Sequence, residues 1–147
     1  MELPASAFVL PVTVGDHDID AQNHASNVAV VAWMNLAAWE HSKSLGFDVA
    51  DYQRVGGMFV VRRHEIDYRA QALLGDELLC YTWPSYAQKA TAHRQHRVVR
   101  KADGVLVAEG FNIWAFVNIA TGRPTRMPAE VTQAFDPAKW RADHHGS

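Results

Sequence analysis

Residues 15–27 read GDHDIDAQNHASN, and an apolar run, VAVVAWMNLAAWEHSKSLGF, follows directly. Apolar residues recur every three or four positions in this run, which predicts a helix over residues 28–45 that is buried on most sides. Ser26 or Asn27 is placed to cap the helix, because such side chains accept hydrogen bonds from its first free N–H groups. Gly46 is placed to end it. The polar stretch would therefore lie at the positive end of a helix dipole, where a developing negative charge is stabilised.

The rest of the chain predicts β-structure on both sides of this helix. Residues 7–14, AFVLPVTV, predict a first strand, in which Pro11 fits only an edge or a bulge. Apolar and polar residues alternate in four further stretches, which turn signals such as Asp103-Gly104 separate, and this pattern predicts four further strands. These strands span 58–70, 76–87, 89–104 and 105–122, after a connector at 48–57. A short helix, AEVTQAF, follows, and we expect the polar tail to be loose. This order predicts an α+β fold, with a five-stranded antiparallel sheet wrapped around one long apolar helix.

Size and composition indicate one globular domain. The chain has 147 residues, 48% of them hydrophobic and 20% charged, which suffices for a core. A net charge of -2 argues against a dedicated nucleic-acid binder. The single cysteine, Cys80, excludes an internal disulfide and fits a reducing compartment. No apolar run reaches the roughly 18 residues needed to span a bilayer, and the start, MELPASAFVLPV, lacks a basic secretory leader. We therefore expect a cytoplasmic protein whose partners include neither nucleic acid nor a membrane.

Three stretches of the chain carry a family resemblance. The stretch DIDAQNHASNVAVVAWM follows the pattern D-x-D-x-x-G-H-V-N-N-x-x-Y-x-x-W at five positions: Asp18, Asp20, His24, Asn27 and Trp33. The later stretch EIDYRAQALLGDEL is similar to a strand-turn-strand passage of the family that carries this pattern, and ATGRPTRMP is similar to the last turn of that family. Together they resemble the hotdog-fold acyl-CoA thioesterases of the 4-hydroxybenzoyl-CoA type. The resemblance implies a single hotdog domain over residues 1–135, followed by a polar C-terminal tail at 136–147.

Three positions depart from the pattern of that family. Asn23 stands where the family has glycine, and asparagine can adopt the left-handed backbone for which glycine is used. Ser26 stands where asparagine is frequent, and Val30 stands where tyrosine is frequent. The loss of the tyrosine removes a polar group near the site, so these changes bear on which substrate fits.

The resemblance implies hydrolysis of an acyl-CoA thioester, with Asp20 as the acting carboxylate. This chemistry needs a nucleophile or a base for water, together with a donor for the carbonyl oxygen. Asp20 would supply the first, and backbone N–H groups around residues 27–30 the second. His24 would bond the thioester oxygen or hold Asp20, and Asn27 would either contact the substrate or only cap the helix. From the residues alone, Asp20 could instead only order its loop, as aspartate readily does.

Substrate-binding residues are expected in the loop and on the first strand after the helix. In the loop they are Asp18, which would also buttress the catalytic carboxylate, and Asn23. By the resemblance, the strand at 58–64 pairs with its copy in a second subunit and lines the site of that subunit. On this strand the expected residues are Phe59, Val60, Val61, Arg62 and Arg63. The resemblance thus implies a homodimer or a homotetramer that takes an acyl-CoA.

Basic side chains form local patches in this mildly acidic chain. Besides Arg62 and Arg63, they include the run His93, Arg94, His96, Arg97, Arg100 and Lys101. The phosphates of coenzyme A could pair with such residues. For any one of them, a position on a solvated strand face is the simpler interpretation.

Metal and cofactor sites find no support in the sequence. Asp16, Asp18 and Asp20 begin like a calcium loop, but Ala21 and Asn27 stand where that loop needs glycine and glutamate. No H-x-x-x-H pair supports a transition metal. No G-x-S-x-G, G-x-G-x-x-G or P-loop occurs, and Cys80 in an apolar strand is expected to be inert. We therefore expect no metal and no cofactor.

Two other functions fit the same fold. A hotdog dehydratase or hydratase would use His24 with Asp20 to take a proton from carbon. A non-catalytic protein that binds an acyl or aryl ligand fits the lost tyrosine and the asparagine at position 23. The sequence leaves open the acyl group, the choice between coenzyme A and a carrier protein, and the role of Asp20 as nucleophile or base.

Overall fold

The protein is described by a computed structural model that covers residues 3–140. The strands are β1 Phe8–Thr13, β2 Gly57–Tyr68, β3 Glu77–Gln88, β4 Thr91–Arg100 and β5 Leu106–Asn118. The helices are α1 Asn27–Ser44, α2 Val49–Val55 and α3 Ala129–Ala134. Two 3-10 turns, Asp16–Asp18 and Pro137–Trp140, complete the described structure.

All five strands form one antiparallel sheet in the order β1-β3-β4-β5-β2. Short turns join β3 to β4 and β4 to β5, which is why these three strands are neighbours. The connection from β2 to β3 joins strands that do not pair, because β2 pairs with β5 instead. β1 and β2 are the edge strands, and β2 is therefore open on one side to a further strand. The predicted α+β fold with a five-stranded antiparallel sheet is confirmed, and the long helix α1 packs on one face of that sheet.

Helix α1 covers the sheet with one side and exposes the other. Its residues Val30, Met34 and Ala37 are buried against Leu78 of β3 and Val98 of β4. A second cluster of buried residues covers the other end of the sheet: Phe47, Tyr52, Phe116, Met127, Val131 and Phe135. On the outer side of α1, Val28 is 79% exposed and Leu36 is 46% exposed. Within this chain α1 is therefore buried on one side only, whereas the sequence predicted burial on most sides.

Helix α2 lies in the segment that was expected to be a plain connector. Asp48 caps it, because its side chain accepts from the N–H of Val49 while the Asp51 side chain accepts from the N–H of Asp48. Gly56 ends it in the left-handed conformation, with φ +78. Seven residues are too few to show a clear helical period, which explains why the apolar pattern did not predict this helix.

The start of the C-terminal tail is ordered rather than loose. Trp140 is buried, its indole Nε1 donates to the carbonyl oxygen of Ser6 at 3.1 Å, and its ring meets His41 edge-on. The expectation of a loose tail is therefore wrong for residues 137–140, and residues 141–147 lie outside the described part of the chain. In the described part, no helix is long and apolar enough to cross a membrane.

Candidate active site

The loop before α1 is fixed by Asp18, which is buried. Its Oδ2 accepts from the N–H of Gly15 at 2.9 Å, and its carbonyl oxygen accepts from the N–H of Ser26 at 2.8 Å. The N–H of Ala25 donates to the carbonyl oxygen of Ala72 at 2.8 Å, which ties the loop to the β2–β3 connection. Asp18 thus holds both ends of the loop together, and the start of the helix has a defined place relative to the sheet.

Asp20 lies at the exposed tip of this loop. Its Oδ1 accepts from the N–H of Gln22 at 2.9 Å and from the N–H of His24 at 3.3 Å. Asn23 adopts the left-handed backbone expected of it, with φ 63. These bonds show that Asp20 does order its loop, as one interpretation of the sequence held. Among residues 3–140 its Oδ2 has no hydrogen-bond partner, so one oxygen of the carboxylate is left for other chemistry.

Ser26, rather than Asn27, caps helix α1. Its Oγ accepts from the N–H of Ala29 at 3.0 Å, and its carbonyl oxygen accepts from the N–H of Val30 at 3.2 Å. Within the described part of the chain, the N–H groups of Asn27 and Val28 have no acceptor. Two free donors therefore remain at the positive end of the helix, in the segment where the sequence placed a donor for a carbonyl oxygen.

The substrate-binding residues expected on β2 lie on an edge strand. Val61, Arg62 and Arg63 are exposed, and Arg63 forms an ion pair with Glu65 at 2.9 Å. Val60 is half-buried, and a bulge between Val61 and Arg63 changes the direction of the strand. Two cavities beside α1 within residues 3–140 are lined by no residue of the loop at 15–27, and only one of them is lined by residues of β2.

A cavity of about 260 Å³ lies at the other end of α1, between that helix, α2 and the sheet. Its walls are mostly apolar and aromatic, and they include Ala38, Trp39, Tyr52, Phe59, Trp114 and Phe135. Its polar lining includes Asn35, Ser42 and Arg94. Of the expected catalytic and β2 residues only Phe59 lines this cavity, whereas Asp20, His24 and Asn27 do not.

Arg94 is buried beside this cavity and is 6% exposed. Its Nη1 donates to Nδ1 of His41 at 2.8 Å and to Oγ1 of Thr82 at 3.2 Å. Burial and the neighbouring Arg94 charge lower the pKa of His41 to about 3, so its imidazole is neutral and can accept at Nδ1. Burial also lowers the pKa of Arg94, to about 10, and the guanidinium stays charged at neutral pH.

A second buried polar group is centred on Asn112, which is fully buried. Its Oδ1 accepts from Nε1 of Trp114 at 2.8 Å and faces Nε2 of His96 at 2.9 Å. Its Nδ2 faces Nδ1 of His64 at 3.1 Å. Because an indole can only donate, Oδ1 is the acceptor, His96 carries its proton on Nε2, and Nδ1 of His64 accepts. Burial, with a smaller effect of the Arg94 charge, lowers the pKa of His96 to about 3, so this histidine is also neutral.

The basic run on β4 was expected to lie on a solvated face or to meet phosphates. The prediction of a solvated face is wrong for Arg94 and His96, which point to the inner face of the sheet, whereas Arg97 and Arg100 are partly exposed and form ion pairs. Contact of any of these residues with phosphates stays a prediction. The alternation along β4 separates Arg94 and His96 from Arg97, because successive residues of a strand point to opposite faces. This alternation identifies the buried face only once β4 is known to lie in the middle of the sheet, where α1 covers one face.

Two further expectations concern reactive groups. Burial raises the pKa of the Cys80 thiol to about 12, so this thiol stays protonated, as expected of an inert core residue. Across residues 3–140, no three side chains of histidine, cysteine, aspartate or glutamate come together as a metal site. The groups that the loop and the start of α1 present are the carboxylate of Asp20, the imidazole of His24 and the free N–H groups of Asn27 and Val28.

Comparison with known protein families gives one match over most of the chain. The family described as the thioesterase-like superfamily matches residues 14–135. These residues include the loop, both buried polar groups and every strand except β1. A match of this extent covers the whole of the candidate site.

Similar solved structures show the same fold. A 1,4-dihydroxy-2-naphthoyl-CoA thioesterase from Synechocystis is 16% identical, with a TM-score of 0.81 over 89% of this chain and 96% of that one. A hypothetical protein from Staphylococcus aureus, solved in complex with CoA, is also 16% identical, with a TM-score of 0.84 over 91% of this chain and 84% of that one. At such identities the likeness concerns the fold, which is the hotdog fold expected from the sequence.

A curated relative is similar in sequence. An acyl-[acyl-carrier-protein] hydrolase from the chloroplast of Cuphea viscosissima is 24% identical over 131 residues, which are 85% of this chain. The same stretch covers only 31% of that relative, so this chain spans about a third of its length.

Proposed function

Because this chain belongs to the thioesterase-like superfamily, we propose that it hydrolyses the thioester of an acyl-CoA to the free acid and coenzyme A. The observation that carries the proposal is the arrangement at the start of α1. A carboxylate with one free oxygen, Asp20, lies on the loop that leads into two unpaired N–H groups, those of Asn27 and Val28. The neighbours described as a CoA thioesterase and as a CoA complex support CoA as the thiol.

In this proposal Asp20 acts through its free oxygen, Oδ2. It either attacks the carbonyl carbon, forming an anhydride that water then cleaves, or takes a proton from the attacking water. In both routes the carbonyl oxygen gains negative charge, and the N–H groups of Asn27 and Val28 would donate to it. The C–S bond breaks when the tetrahedral intermediate collapses, which in the first route is the step that forms the anhydride. The departing thiolate takes up a proton from solvent, or in the second route the proton that Asp20 took from water. His24 follows Asp20 by four residues, and its imidazole would bond the thioester oxygen or hold the carboxylate in place.

The oligomer is part of the proposal, because Asp20 is exposed in a single chain. Thioester hydrolysis at a carboxylate benefits from exclusion of water, which a second subunit would provide. Edge strand β2 has exposed apolar residues, Met58 and Val61, and no neighbour on its outer side among the described strands. Pairing of two β2 strands would bring Phe59, Val60, Val61, Arg62 and Arg63 to the site of the partner, as a homodimer or within a homotetramer. A single domain over residues 1–135 would then be the repeating unit.

A thiol-release assay tests the proposed activity. Short, long and aromatic acyl-CoAs, and the same acyl groups on acyl-carrier protein, would be offered to the purified chain. The proposal expects release of free thiol from at least one acyl-CoA, and faster release from CoA than from carrier protein. No release from any thioester under conditions in which the chain is folded would contradict it. Release from carrier protein alone would contradict the choice of coenzyme A.

A non-catalytic ligand-binding protein is the second candidate. One observation favours it: the largely apolar cavity beside Arg94 is separate from the loop that holds Asp20. In that case an acyl or aryl compound would bind with a measurable affinity, and no thioester would be cleaved. The same assay, read together with binding of the uncleaved ligand, separates the two candidates.

A further inference from the structure

Arg94 carries a buried charge that the described residues do not neutralise. It takes part in none of the ion pairs within residues 3–140, and its two hydrogen-bond partners, His41 and Thr82, are neutral. The ring of Phe135 offers a weak cation–π contact, with its centroid 6.0 Å from Cζ of Arg94. A buried charge without a counter-ion is costly, so such groups are normally paired.

The guanidinium of Arg94 also has donors to spare. Both hydrogen bonds are made by Nη1, whereas Nε and Nη2 have no acceptor in the part of the chain that the structure describes. A guanidinium presents its donors in a planar fork that matches the two oxygens of a carboxylate. Because Arg94 lines the cavity, a ligand in the cavity can reach it.

The walls of the cavity define the rest of such a ligand. Trp39, Phe59 and Trp114 give it apolar and aromatic surfaces. An apolar protein cavity of about 150 Å³ accepts benzene, and the volume here is about 260 Å³. The space therefore suits one aromatic ring or a short alkyl chain together with a small polar group.

We propose that this cavity binds an apolar molecule that carries a carboxylate, with the carboxylate paired to Arg94 and the apolar body between Trp39 and Trp114. The source of this carboxylate rests on the proposed hydrolase activity, which allows two sources. It could be a second carboxylate at the far end of the acyl group, or the one formed when the thioester is cleaved. Binding of a free carboxylate does not require turnover and can be measured by itself.

The first experiment measures binding of benzoate and of benzamide, which has nearly the same shape and no charge. NMR titration of the full chain would follow the indole N–H signals of Trp39 and Trp114. We expect benzoate to bind at least ten-fold more tightly than benzamide. In Arg94→Met, which keeps the length of the side chain, the two affinities should become equal. Equal affinities in the unmodified protein, or a preference that survives Arg94→Met, would overturn the proposal.

Matched variants guard against loss of structure. Arg97→Met removes the same charge three residues along β4, where Arg97 is paired with Glu109 on the outer face, and it should keep the full preference for benzoate. Arg94→Lys keeps a positive charge in place and should keep part of the preference even if Arg94→Met does not fold. Ala38→Leu narrows the cavity from the side of α1 and leaves the charge of Arg94 in place, so it should weaken the binding of both benzoate and benzamide. Full binding in Ala38→Leu would place the ligand outside the cavity and overturn the proposal.

The second experiment separates the two sources of carboxylate. Thiol release from dodecanedioyl-CoA, which has a far carboxylate, would be compared with release from lauroyl-CoA. A long chain is needed because Arg94 bonds His41, which lies roughly 20 Å along α1 from the free N–H groups at its start. If Arg94 binds the far carboxylate, Arg94→Met raises KM for dodecanedioyl-CoA several-fold and leaves lauroyl-CoA unchanged. If Arg94 binds the released acid, Arg94→Met instead weakens product inhibition by laurate. Absence of thiol release would count against the proposed hydrolase and leave the benzoate measurement to decide on the site.

Discussion

Replacement of Asn112 by leucine tests whether the buried polar group at the centre of the sheet is as complete as its hydrogen bonds indicate. In Asn112→Leu the side chain keeps its approximate size and loses every polar atom. Two donors then lose their acceptor, Nε2 of the buried His96 and Nε1 of the half-buried Trp114. His64 also loses a partner, but it is only half-buried and can turn to water.

The magnitude follows from these contacts. Each donor left unpaired costs about 1–3 kcal/mol, so two of them cost roughly 4 kcal/mol. Burial of a leucine in place of the amide returns roughly 2 kcal/mol. We therefore expect Asn112→Leu to lower the free energy of unfolding by about 2 kcal/mol. For a chain of this length the melting temperature would fall by about 4–8 °C.

Urea denaturation at pH 7, followed by tryptophan fluorescence, measures this loss. The matched control is Gln133→Leu, which replaces an exposed side-chain amide on α3 by leucine. It should change the free energy of unfolding by less than about 0.5 kcal/mol. If Asn112→Leu is as stable as the unmodified protein and unfolds with the same denaturant dependence, the two donors do not depend on Asn112. The hydrogen-bond assignment, and with it the tautomers of His64 and His96, would then be wrong.

Two further predictions concern the sheet and its pH dependence. A Cβ at Gly110 would overlap the backbone carbonyl oxygen of Glu65, so Gly110→Ala must push β2 away from β5. We expect a loss of roughly 3 kcal/mol in urea denaturation, and an unchanged midpoint would show that the two strands are not so close. The folded-state pKa values of His41 and His96 are about 3, below the ordinary histidine value of 6.5. The unfolded chain therefore binds more protons below pH 6.5, and stability present above that pH is lost as pH falls toward 3. Each histidine adds roughly 1.4 kcal/mol per pH unit to that slope. In His41→Gln the denaturation midpoints should therefore fall less steeply with pH, and an unaltered slope would mean that the pKa of His41 is the same in the folded and the unfolded protein.

The elements of the fold were predictable because their patterns are local. A period of three to four residues marks α1, and alternation marks the strands, so their bounds agree with the structure within a few residues. Helix α2 was missed because its evidence is a capping box between Asp48 and Asp51 and no apolar period. The docking of Trp140 beside the first strand depends on contacts between the two ends of the chain, which no local pattern reports.

The candidate site was predictable only in part. The loop, the cap and the left-handed Asn23 follow from short-range chemistry of Asx and serine side chains. The buried charge of Arg94 does not follow from short-range chemistry. In the sequence nothing distinguishes Arg94 from the more exposed Arg97 until the position of β4 in the sheet is known. His41 is buried on the side of α1 that faces the sheet, but its bond to Arg94 joins residues far apart in the chain, which no local pattern reports.

The most direct measurement for the central claim compares Asp20→Asn with Asp16→Asn in the thiol-release assay. The amide introduced by Asp20→Asn can still accept from the N–H groups of Gln22 and His24, so the loop and the melting temperature should be preserved. Asp16→Asn removes the same charge from another exposed residue of the loop. We expect thiol release to fall at least 100-fold in Asp20→Asn, as for loss of a nucleophile or base, and to stay within about two-fold in Asp16→Asn. Full activity in a folded Asp20→Asn protein, or equal loss in both variants, would show that the carboxylate at position 20 is not the acting group.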